Sequence, residues 1–321
     1  MADSSIYVSV LMPLKNAGQF VGSALRSILV ERDIPLEVVV VNDESTDDSV
    51  ERVIALNDPR ILLIESKKAG ISESLNAALQ ASSGAIIMRC DADDLFCEGR
   101  IKEQVSLLNL HQEYAAICGS FATIDAQGMA LLDMSTGAEQ TDVTERLAAG
   151  VPQTHLGTYA VRARACRQLQ GFRPYFDTAE DLDFQLRLAS AGRVLYVPKC
   201  WYQYRVHSNS TTHRQANERR LFFEKMAKEF AIQRAMSGSD LLEKGLQPLP
   251  PEPTILVSHD GRVHAHELLL GRAWLEFSGG HVCAAYHASI RAIVVRPSAF
   301  AGWRNLFALS YKAIRKCLVR S

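Results

Sequence analysis

The sequence lacks the signatures of several classes of protein. Its seven cysteines are scattered at positions 90, 97, 118, 166, 200, 283 and 317, with no CxxC pair. This argues against a disulfide framework or a zinc site, and it predicts a reducing, cytoplasmic compartment. No apolar run approaches the roughly 18 residues of a membrane span. Residues 1–5 (MADSS) carry no basic n-region, so we expect no signal peptide.

Two common phosphate-binding motifs are also missing. No GxGxxG follows the first apolar run, which counts against a dinucleotide-binding domain, and no GxxxxGK(S/T) occurs, which counts against a P-loop NTPase. The charge balance is close to neutral, with 35 Lys plus Arg, 36 Asp plus Glu and a net charge of −1. It gives no global argument for binding nucleic acid, and we expect no nucleic-acid partner.

Strand and helix patterns alternate through the first part of the chain. Four strand-like apolar runs are each followed by a stretch with helical apolar spacing. The runs cover 6–12, 36–41, 60–65 and 85–90. This alternation predicts an α/β fold with a mostly parallel central sheet flanked by helices. Because parallel strands end on one edge of a sheet, the polar residues after these runs should converge there.

An acidic cluster follows the fourth run. Asp91, Asp93 and Asp94 lie within four residues at the end of a strand that reads as buried. Burying them unpaired would cost several kcal/mol. A divalent cation would neutralise them, and oxygen ligands suit Mg2+ or Mn2+, which also take phosphate oxygens. The cluster therefore indicates a metal–diphosphate site, with an acidic loop that caps the next helix as the alternative.

The chain changes character near residue 211. We predict an α/β domain at 1–210 and a helical C-terminal domain at 211–321. Apolar residues repeat at four-residue spacing from Phe222, and a proline-rich loop spans 248–253 (PLPPEP). The apolar spacing predicts three further helices, at 268–277, 282–295 and 300–318.

The last of these helices is open to two interpretations. Trp303, Phe307, Ile314 and Leu318 share one face, and basic residues occupy the adjoining arc, with no acid from Phe300 onward. This pattern fits a helix that makes peripheral contact with an anionic membrane surface. It equally fits an amphipathic helix that packs on its own domain and turns a basic face to solvent.

Four motifs occur in a particular order along the chain. They are residues 8–16 (VSVLMPLKN), 39–47 (VVVNDESTD), 91–94 (DADD), and 179–183 (AEDLD) followed by 204–207 (YRVH). With these motifs the chain resembles a family 2 glycosyltransferase of the GT-A fold. The resemblance implies inverting transfer of a sugar from a nucleotide-diphosphate sugar, with UDP-sugars favoured, to an acceptor hydroxyl. The implied acceptor is a surface glycan, such as lipopolysaccharide, capsule or a glycolipid.

The resemblance also implies a donor site. Asp43 would read the nucleobase, while Lys15 stands where the family usually has an aromatic residue. The implied donor-binding residues are Pro13, Lys15, Asn16, Asp43, Asn76, Asp91, Ala92, Asp93 and Arg205. Structural alternatives are a helix cap for Asp43 and a bond to a neighbouring loop for Asn76.

A divalent metal, Mn2+ or Mg2+, is implied as well, which would bridge the diphosphate and neutralise the leaving group. Asp93 matches the family's metal-coordinating Asp, and Asp91 matches the residue that faces the ribose and the metal's waters. His207 matches a position that can add a metal or phosphate contact, and Arg205 would hold a phosphate oxygen. The alternatives are a structural histidine and a surface ion pair.

Inverting transfer needs a base opposite the leaving group to take the acceptor proton. Asp181 matches the catalytic base of the family, and a helix N-terminus favours its ionised form. Glu180, His155 and Arg173 would lie on the acceptor side. For His155, a buried structural role is equally open.

Two other functions are compatible with a nucleotide-sugar site. A sugar-nucleotide nucleotidyltransferase would need a Gly-rich, basic loop after the first strand, and none is present. A non-catalytic nucleotide-sugar binding module would bind the donor without turning it over. Release of the nucleotide from a sugar donor would separate a transferase from such a module.

Overall fold

A computed structural model describes residues 7–207, 217–252, 261–278 and 282–318. The chain forms two compact units. The first comprises the described parts of Met1–Phe121, Met134–Tyr204 and Asn217–Pro253, and the second those of Ala122–Asp133, Arg205–Ala216 and Thr254–Ser321.

The first unit begins with strands that alternate with helices, as predicted. The strands are β1 (Val8–Leu14), β2 (Leu36–Asn42), β3 (Ile61–Glu65) and β4 (Ile86–Arg89), and the helices are α1 (Gly18–Leu29), α2 (Ser49–Ile54) and α3 (Ile71–Ala81). β1 pairs in parallel with both β2 and β4, and β2 pairs in parallel with β3. Every residue of β2 and β4 is buried, which explains their continuous apolar runs.

Beyond β4 the sheet becomes mixed. The next elements are β5 (Leu95–Phe96), α4 (Arg100–Leu110), β6 (Tyr114–Ile124), β7 (Ala130–Met134), β8 (Thr141–Asp142), α5 (Thr144–Ala148), β9 (Ala160–Arg162), α6 (Ala163–Gln168), α7 (Glu180–Ala191) and β10 (Arg193–Arg205). The strand order is β3-β2-β1-β4-β9-β6-β10-β5, with β7 beside β6 and β8 beside β10. β9 is antiparallel to β4 and β6, so only part of the sheet is parallel.

The segment around His155 contains a short turn before the next strand. A short 3-10 helix, Leu156–Thr158, follows His155, and β9 begins only at Ala160. The His155 imidazole accepts a hydrogen bond from the N–H of Gly157 at 3.1 Å, which closes the turn. A Cβ on Gly157 would lie 2.5 Å from the ring of Tyr202, so only glycine fits this approach. The apolar pattern alone could not show this turn.

Helix α8 (Asn217–Ser237) belongs to the first unit, although the sequence placed the boundary at residue 210. Phe223, Met226 and Phe230 are buried in the same hydrophobic cluster as Phe176. The division therefore falls after this helix, because its aromatic face is part of the first unit's core.

A buried network of ion pairs holds α7 in place. Asp183 of α7 accepts hydrogen bonds from Arg173 and from Arg187, and its side chain is fully buried. Arg173 also donates to Asp240, which pairs in turn with Arg234 of α8. Arg173 thus has a structural role here, and its predicted acceptor-side position stays a prediction.

The second unit contains three helices, α9 (Gly261–Ser278), α10 (Val282–Val295) and α11 (Phe300–Leu318). α10 and α11 match the predicted limits, whereas α9 begins seven residues before the predicted 268. Small residues form their core, with Ala273, Ala285 and Ala288 packed around Leu309. In the described part of the chain, no helix has the length and hydropathy needed to cross a membrane.

Candidate functional site

Asp43 joins three segments at the carboxyl edge of the parallel strands. Its carboxylate accepts a hydrogen bond from Lys15 at 3.0 Å, and the N–H of Gly70 lies 3.3 Å from both carboxylate oxygens. The Asp43 side chain is 8% exposed, whereas that of Lys15 is 53% exposed. Asp43 therefore holds the end of β1 and the start of α3 together while Lys15 reaches solvent. The predicted donor contacts of both residues stay predictions.

The start of α1 is capped by the loop after β2. Ser49 accepts a hydrogen bond from the N–H of Ala17, and Asp47 accepts one from Gly18, both at 2.9 Å. Asn16 has a positive φ of 50°, and its side-chain oxygen accepts a hydrogen bond from the N–H of Thr46. Pro13 lies opposite Val41 in the parallel register, so the predicted base-lining residues sit on one edge.

Arg89, the last residue of β4, joins two acidic motifs that are distant in sequence. Its guanidinium donates to Asp91 at 2.7 Å and to Glu180 at 3.0 Å. Burial disfavours the charged guanidinium, but these two carboxylates outweigh burial and hold the pKa of Arg89 well above its usual value. The contact brings the DADD motif and the start of α7 together, so acids from separate predicted motifs meet at one rim.

Sequence reasoning missed Arg89 as part of the site. The available signal was a charged residue at the end of a run of otherwise buried apolar residues, since a buried charge requires a partner. What the sequence could not supply was the identity of that partner, because Glu180 lies 91 residues away.

Tyr202 of β10 holds the DADD loop, residues 91–94, in place through its hydroxyl. The Tyr202 hydroxyl donates to Asp94 at 2.6 Å and accepts from the N–H of Asp91 at 3.2 Å. Asp94 is fully buried, and the residue before α4 is Gly99, so Asp94 does not cap that helix as expected. Ala92 is buried and Asp93 is partly exposed on the same loop. Tyr202 is a second supporting residue that the motifs did not reveal.

Glu180 and Asp181 begin α7 directly after Ala179, which has a left-handed φ of 63°. Glu180 is 6% exposed, and burial raises the pKa of its carboxyl to about 7 despite the neighbouring Arg89. Asp181 is more exposed and accepts a hydrogen bond from the N–H of Leu182 at 2.8 Å. The two adjacent carboxylates therefore have different surroundings, one buried against Arg89 and one towards solvent.

His155 lies in an aromatic cluster beside these acids. Its ring stacks on Tyr202 with centroids 5.3 Å apart and also contacts Tyr204 and Phe121. Burial lowers the pKa of His155, although the charges of Asp181 and Asp91 act in the opposite direction. Because Nδ1 accepts from Gly157, the neutral ring carries its proton on Nε2. The predicted acceptor contact stays a prediction.

Asn76 has the structural role that the sequence left open. Its amide donates to the carbonyl of Phe172 and accepts from the N–H of the same residue, both at 2.8 Å. A Cβ on Gly171 would lie 2.3 Å from the Asn76 oxygen, so the loop closes tightly over this side chain. Both halves of the amide are thus engaged with this loop, and the predicted donor contact of Asn76 stays a prediction.

Arg205 and His207 belong to the second unit. Arg205 is 4% exposed and donates to the carbonyls of Asp125 and Ala126, at 3.1 and 3.2 Å. It thereby supports the turn between β6 and β7, which the sequence predicted at 125–128. The predicted phosphate contact of Arg205 and the metal contact of His207 stay predictions.

A metal ion bound near the DADD loop would have few protein ligands. Within 7–207, 217–252, 261–278 and 282–318, no three His, Cys, Asp or Glu side chains form a group that could hold an ion. Mg2+ commonly binds through one or two carboxylates together with substrate phosphates, so such a group is not required. Both oxygens of Asp91 face Arg89, and Asp93 on the same loop adds a further pair of hard oxygen donors. This donor set fits an ion that arrives with a diphosphate.

The chain is similar in sequence to known proteins. The sequence model described as glycosyl transferase family 2 matches residues 9–135. EpsE of Bacillus subtilis, named as a glycosyltransferase, is 30% identical over 191 residues, which are 58% of this chain and 67% of EpsE. The chondroitin synthase of Pasteurella multocida is 24% identical over 207 residues, or 64% of this chain, and this match spans 21% of that longer protein.

Solved structures give the same result for the fold. The Staphylococcus aureus TarS fragment 1–349, in complex with UDP-GlcNAc, has a TM-score of 0.60 at 17% identity, covering 97% of this chain and 92% of the fragment. This likeness confirms the predicted GT-A architecture. Because the identity to EpsE extends over two thirds of that protein and the family model matches the donor-side motifs, the chain belongs to glycosyltransferase family 2 and is a glycosyltransferase.

Proposed function

We propose that this glycosyltransferase transfers a sugar, with inversion, from a UDP-sugar to an acceptor hydroxyl during synthesis of a surface glycan, and that it requires Mg2+ or Mn2+. The observation that carries the proposal is the contact of Arg89 with both Asp91 and Glu180. It supports the proposal because Asp91, the proposed donor-side acid, and Glu180, next to the proposed base, share this arginine, and in-line displacement needs donor and base close together.

The donor nucleotide would lie across the ends of β1 and β2. There the buried carboxylate of Asp43 can accept a hydrogen bond from a base N–H, which the N3–H of uracil supplies. Lys15 already contacts Asp43 and extends into solvent, so its ammonium is available to a ribose or phosphate oxygen after a small movement. Pro13 and Asn16 would border the same place. The UDP-GlcNAc complex of TarS supports a uridine nucleotide.

Asp93, with Asp91 beside it, would hold the metal and the diphosphate. The ion, when bound, supplies Lewis-acid stabilisation of the leaving diphosphate. The protein's own residues keep the DADD loop rigid. Arg89 neutralises Asp91, and Tyr202 fixes Asp94 and the Asp91 backbone, so Asp93 is presented from a rigid turn.

Asp181 would act as the general base. It lies in the first turn of α7, and its partial exposure leaves it reachable by an acceptor hydroxyl. Glu180 is buried with a raised pKa, which suits a hydrogen-bonding role towards the acceptor or the loop. His155 would present its Nε2–H on the acceptor side of the same rim.

Turnover of a donor panel tests this assignment. UDP-, GDP- and dTDP-sugars are incubated with the full chain and Mn2+ or Mg2+, and release of the nucleoside diphosphate is measured. In Asp181→Asn we expect turnover to fall by roughly 100- to 10,000-fold, as for loss of a general base. Stabilisation of the fold by UDP, measured by thermal shift, should be retained.

The matched control is Asp142→Asn, a solvent-facing carboxylate that pairs with Arg193 away from the predicted motifs. It should leave turnover unchanged. Unchanged turnover in Asp181→Asn would remove Asp181 as the base, and full activity in the presence of a chelator would remove the metal.

The acceptor is inferred from relatives. Chondroitin synthase, by its name, makes a polysaccharide, and its match covers 64% of this chain. A surface polysaccharide or glycolipid is therefore the acceptor class that we propose. Transfer to oligosaccharide fragments of such glycans, followed by mass spectrometry, would identify the accepted sugar.

A further inference from the structure

Helix α11 presents large aromatic side chains to solvent. Phe300, Phe307 and Tyr311 are 76%, 70% and 67% exposed, and Trp303 is 44% exposed. Their spacing of three and four residues puts them on one face of the helix. Soluble surfaces rarely expose several aromatic residues together, so this stripe requires an explanation.

The opposite face of α11 is the one that packs. Gly302, Asn305 and Leu309 are buried, and the Asn305 amide donates to the hydroxyl of Ser289 in α10 at 2.8 Å. A Cβ on Gly302 would lie 3.0 Å from the ring of His266, so the helices approach closely on this side. The helix therefore docks through small and polar residues. The interpretation in which its aromatic face packs on its own domain is excluded for the residues whose side chains are described.

The exposed Trp303 ring offers an apolar surface. Its indole N–H donates to the carbonyl of Pro297 at 3.0 Å, so the polar atom is satisfied within the turn that precedes the helix. Val294 at the end of α10 is 71% exposed, and Ile290, one turn earlier, is 50% exposed. The apolar stripe of α11 is thus accompanied by exposed aliphatic residues on the preceding helix.

The charge around this surface has one sign. No Asp or Glu occurs from residue 277 to residue 321, whereas Arg and Lys occupy positions 291, 296, 304, 312, 315, 316 and 320. Arg304 is exposed on α11 beside the aromatic stripe. Lys312 is also exposed on this helix, and its Nζ lies 4.6 Å from the ring centroid of Trp274. A basic rim around exposed aromatic residues is complementary to anionic lipid headgroups above an apolar layer.

We propose that the surface formed by Phe300, Trp303, Phe307 and Tyr311, with Arg304 and Lys312, binds the interface of an anionic lipid bilayer. The aromatic rings enter the headgroup region, and the basic residues pair with lipid phosphates. This inference does not depend on the proposed donor, metal or acceptor. It adds a peripheral membrane contact that would bring the enzyme to lipid-borne substrates.

Co-sedimentation of the full chain with vesicles tests the proposal. We expect binding to vesicles rich in phosphatidylglycerol, weak binding to pure phosphatidylcholine, and loss of binding as salt increases. The double variant Phe307→Ser/Tyr311→Ser should lose most of the binding. Arg304→Glu should weaken it by about tenfold or more, since each basic residue near an anionic surface contributes about fivefold.

The matched control variants replace similarly exposed residues of the first unit. Leu110→Ser/Met236→Ser removes apolar side chains that are 75% and 83% exposed, and Lys225→Glu reverses a charge whose side chain is 70% exposed. These should bind vesicles like the parent chain. Thermal stabilisation by UDP should be the same in all variants, which separates loss of membrane binding from damage to the donor site.

Three outcomes would overturn the proposal. The parent chain could stay in the supernatant with phosphatidylglycerol vesicles at low salt, or the aromatic variant could sediment as well as its control. The parent chain could also form a dimer in light scattering that the aromatic variant dissociates, with no vesicle binding. That last result would assign the surface to a second copy of the chain.

Discussion

Arg89 and Glu180 form a buried ion pair across the rim of the sheet, with Nη1 and Oε1 3.0 Å apart and both side chains less than a tenth exposed. The same guanidinium holds Asp91. A buried charge is costly unless its partners are close and well oriented, so the three residues form one electrostatic unit. Their arrangement fixes the distance between the DADD loop and the start of α7. The proposed transfer reaction would take place across this distance.

Replacing Arg89 should therefore cost much more stability than replacing an exposed arginine. Arg89→Met leaves the buried carboxylate of Glu180 and the partly buried one of Asp91 without their cation, and we expect a loss of about 3–5 kcal/mol in the free energy of unfolding. Arg89→Lys should recover only part, because an ammonium cannot match the forked contact. Urea titration followed by circular dichroism measures both.

The matched control for this prediction is Arg52→Met. Arg52 pairs with Asp48 on α2, and both side chains are more than half exposed. Its loss should cost less than about 1 kcal/mol. Equal losses for Arg89→Met and Arg52→Met would show that the Arg89 contacts do not stabilise the fold.

Glu180 should make stability depend on pH. Its pKa is about 7 in the folded protein against an ordinary value of 4.5, so between these two values the folded state holds a proton that the unfolded state has released. The free energy of unfolding must then fall as pH rises through this window. Above the window, the full destabilisation from ionising the buried Glu180 carboxyl is present. Glu180→Gln removes this titration.

The difference in unfolding free energy between Glu180→Gln and the parent chain should increase from pH 5 to pH 8, by roughly 3 kcal/mol at most. Urea titrations at four pH values would show it. Contributions from His155 and other groups are common to both proteins and cancel. A difference that stays constant across this range would mean that the Glu180 carboxyl titrates near its ordinary pKa.

Local patterns predicted the scaffold well, and for a physical reason. The strands β1, β2 and β4 are buried on both faces, so their sequences are continuous apolar runs, and the helices between them need one apolar face. Parallel pairing then brings Lys15, Asp43 and Asp91 to one edge, as the strand ends had indicated.

Sequence patterns could not predict the contacts between segments that are distant along the chain. The partners of Arg89, the hydroxyl of Tyr202 under Asp94, and the loop held by Asn76 all depend on segments that meet only after folding. The face of α11 that packs was equally undetermined. A helical pattern shows that aromatic residues share a face, but only contacts made by α10 decide whether that face is buried.

The network around Asp183 and Asp240 predicts a second sensitive site. Asp240 is fully buried and accepts hydrogen bonds from Arg173, Arg234 and the N–H of Glu243. Burial opposes its ionised form, but these hydrogen bonds outweigh burial and lower the pKa of Asp240. Its stabilising contribution is therefore present at neutral pH and lost in acid.

Asp240→Asn should destabilise the protein by about 3–5 kcal/mol at pH 7, with a smaller difference from the parent chain at acid pH. Asp177→Asn is the control, because Asp177 pairs with Arg219 at the surface and is 49% exposed. Its cost should stay below about 1 kcal/mol. A similar cost for both variants would contradict a structural role for the network in holding α7.

Asp43 should determine affinity for the nucleotide. If its carboxylate accepts the base N–H, Asp43→Asn should weaken UDP binding by about fivefold, since a hydrogen bond to a charged acceptor is about 1 kcal/mol stronger than one to a neutral acceptor. Isothermal titration calorimetry with UDP measures this. Asp48→Asn is the control, because Asp48 is 57% exposed and pairs with Arg52. Identical dissociation constants for Asp43→Asn and the control would place the base elsewhere.

Tyr202 connects the stability of the sheet to the DADD loop. Its hydroxyl is buried, donates to Asp94 and supports the backbone of Asp91. Burial raises the pKa of Tyr202 well above its ordinary value, so the hydroxyl remains a donor at every assay pH. Tyr202→Phe removes this donor without changing the ring that stacks on His155.

We expect Tyr202→Phe to lose about 1.5–3 kcal/mol of unfolding free energy, the contribution of a hydrogen bond to a carboxylate. Because the loop that presents Asp93 would be less firmly held, the KM for metal and donor should rise more than kcat falls. Tyr7→Phe is the control, since the Tyr7 hydroxyl donates to Asn109 at the surface. A fall in kcat with unchanged KM would instead mean that Tyr202 acts on the transfer step through His155, because loosening of the donor loop must appear in binding.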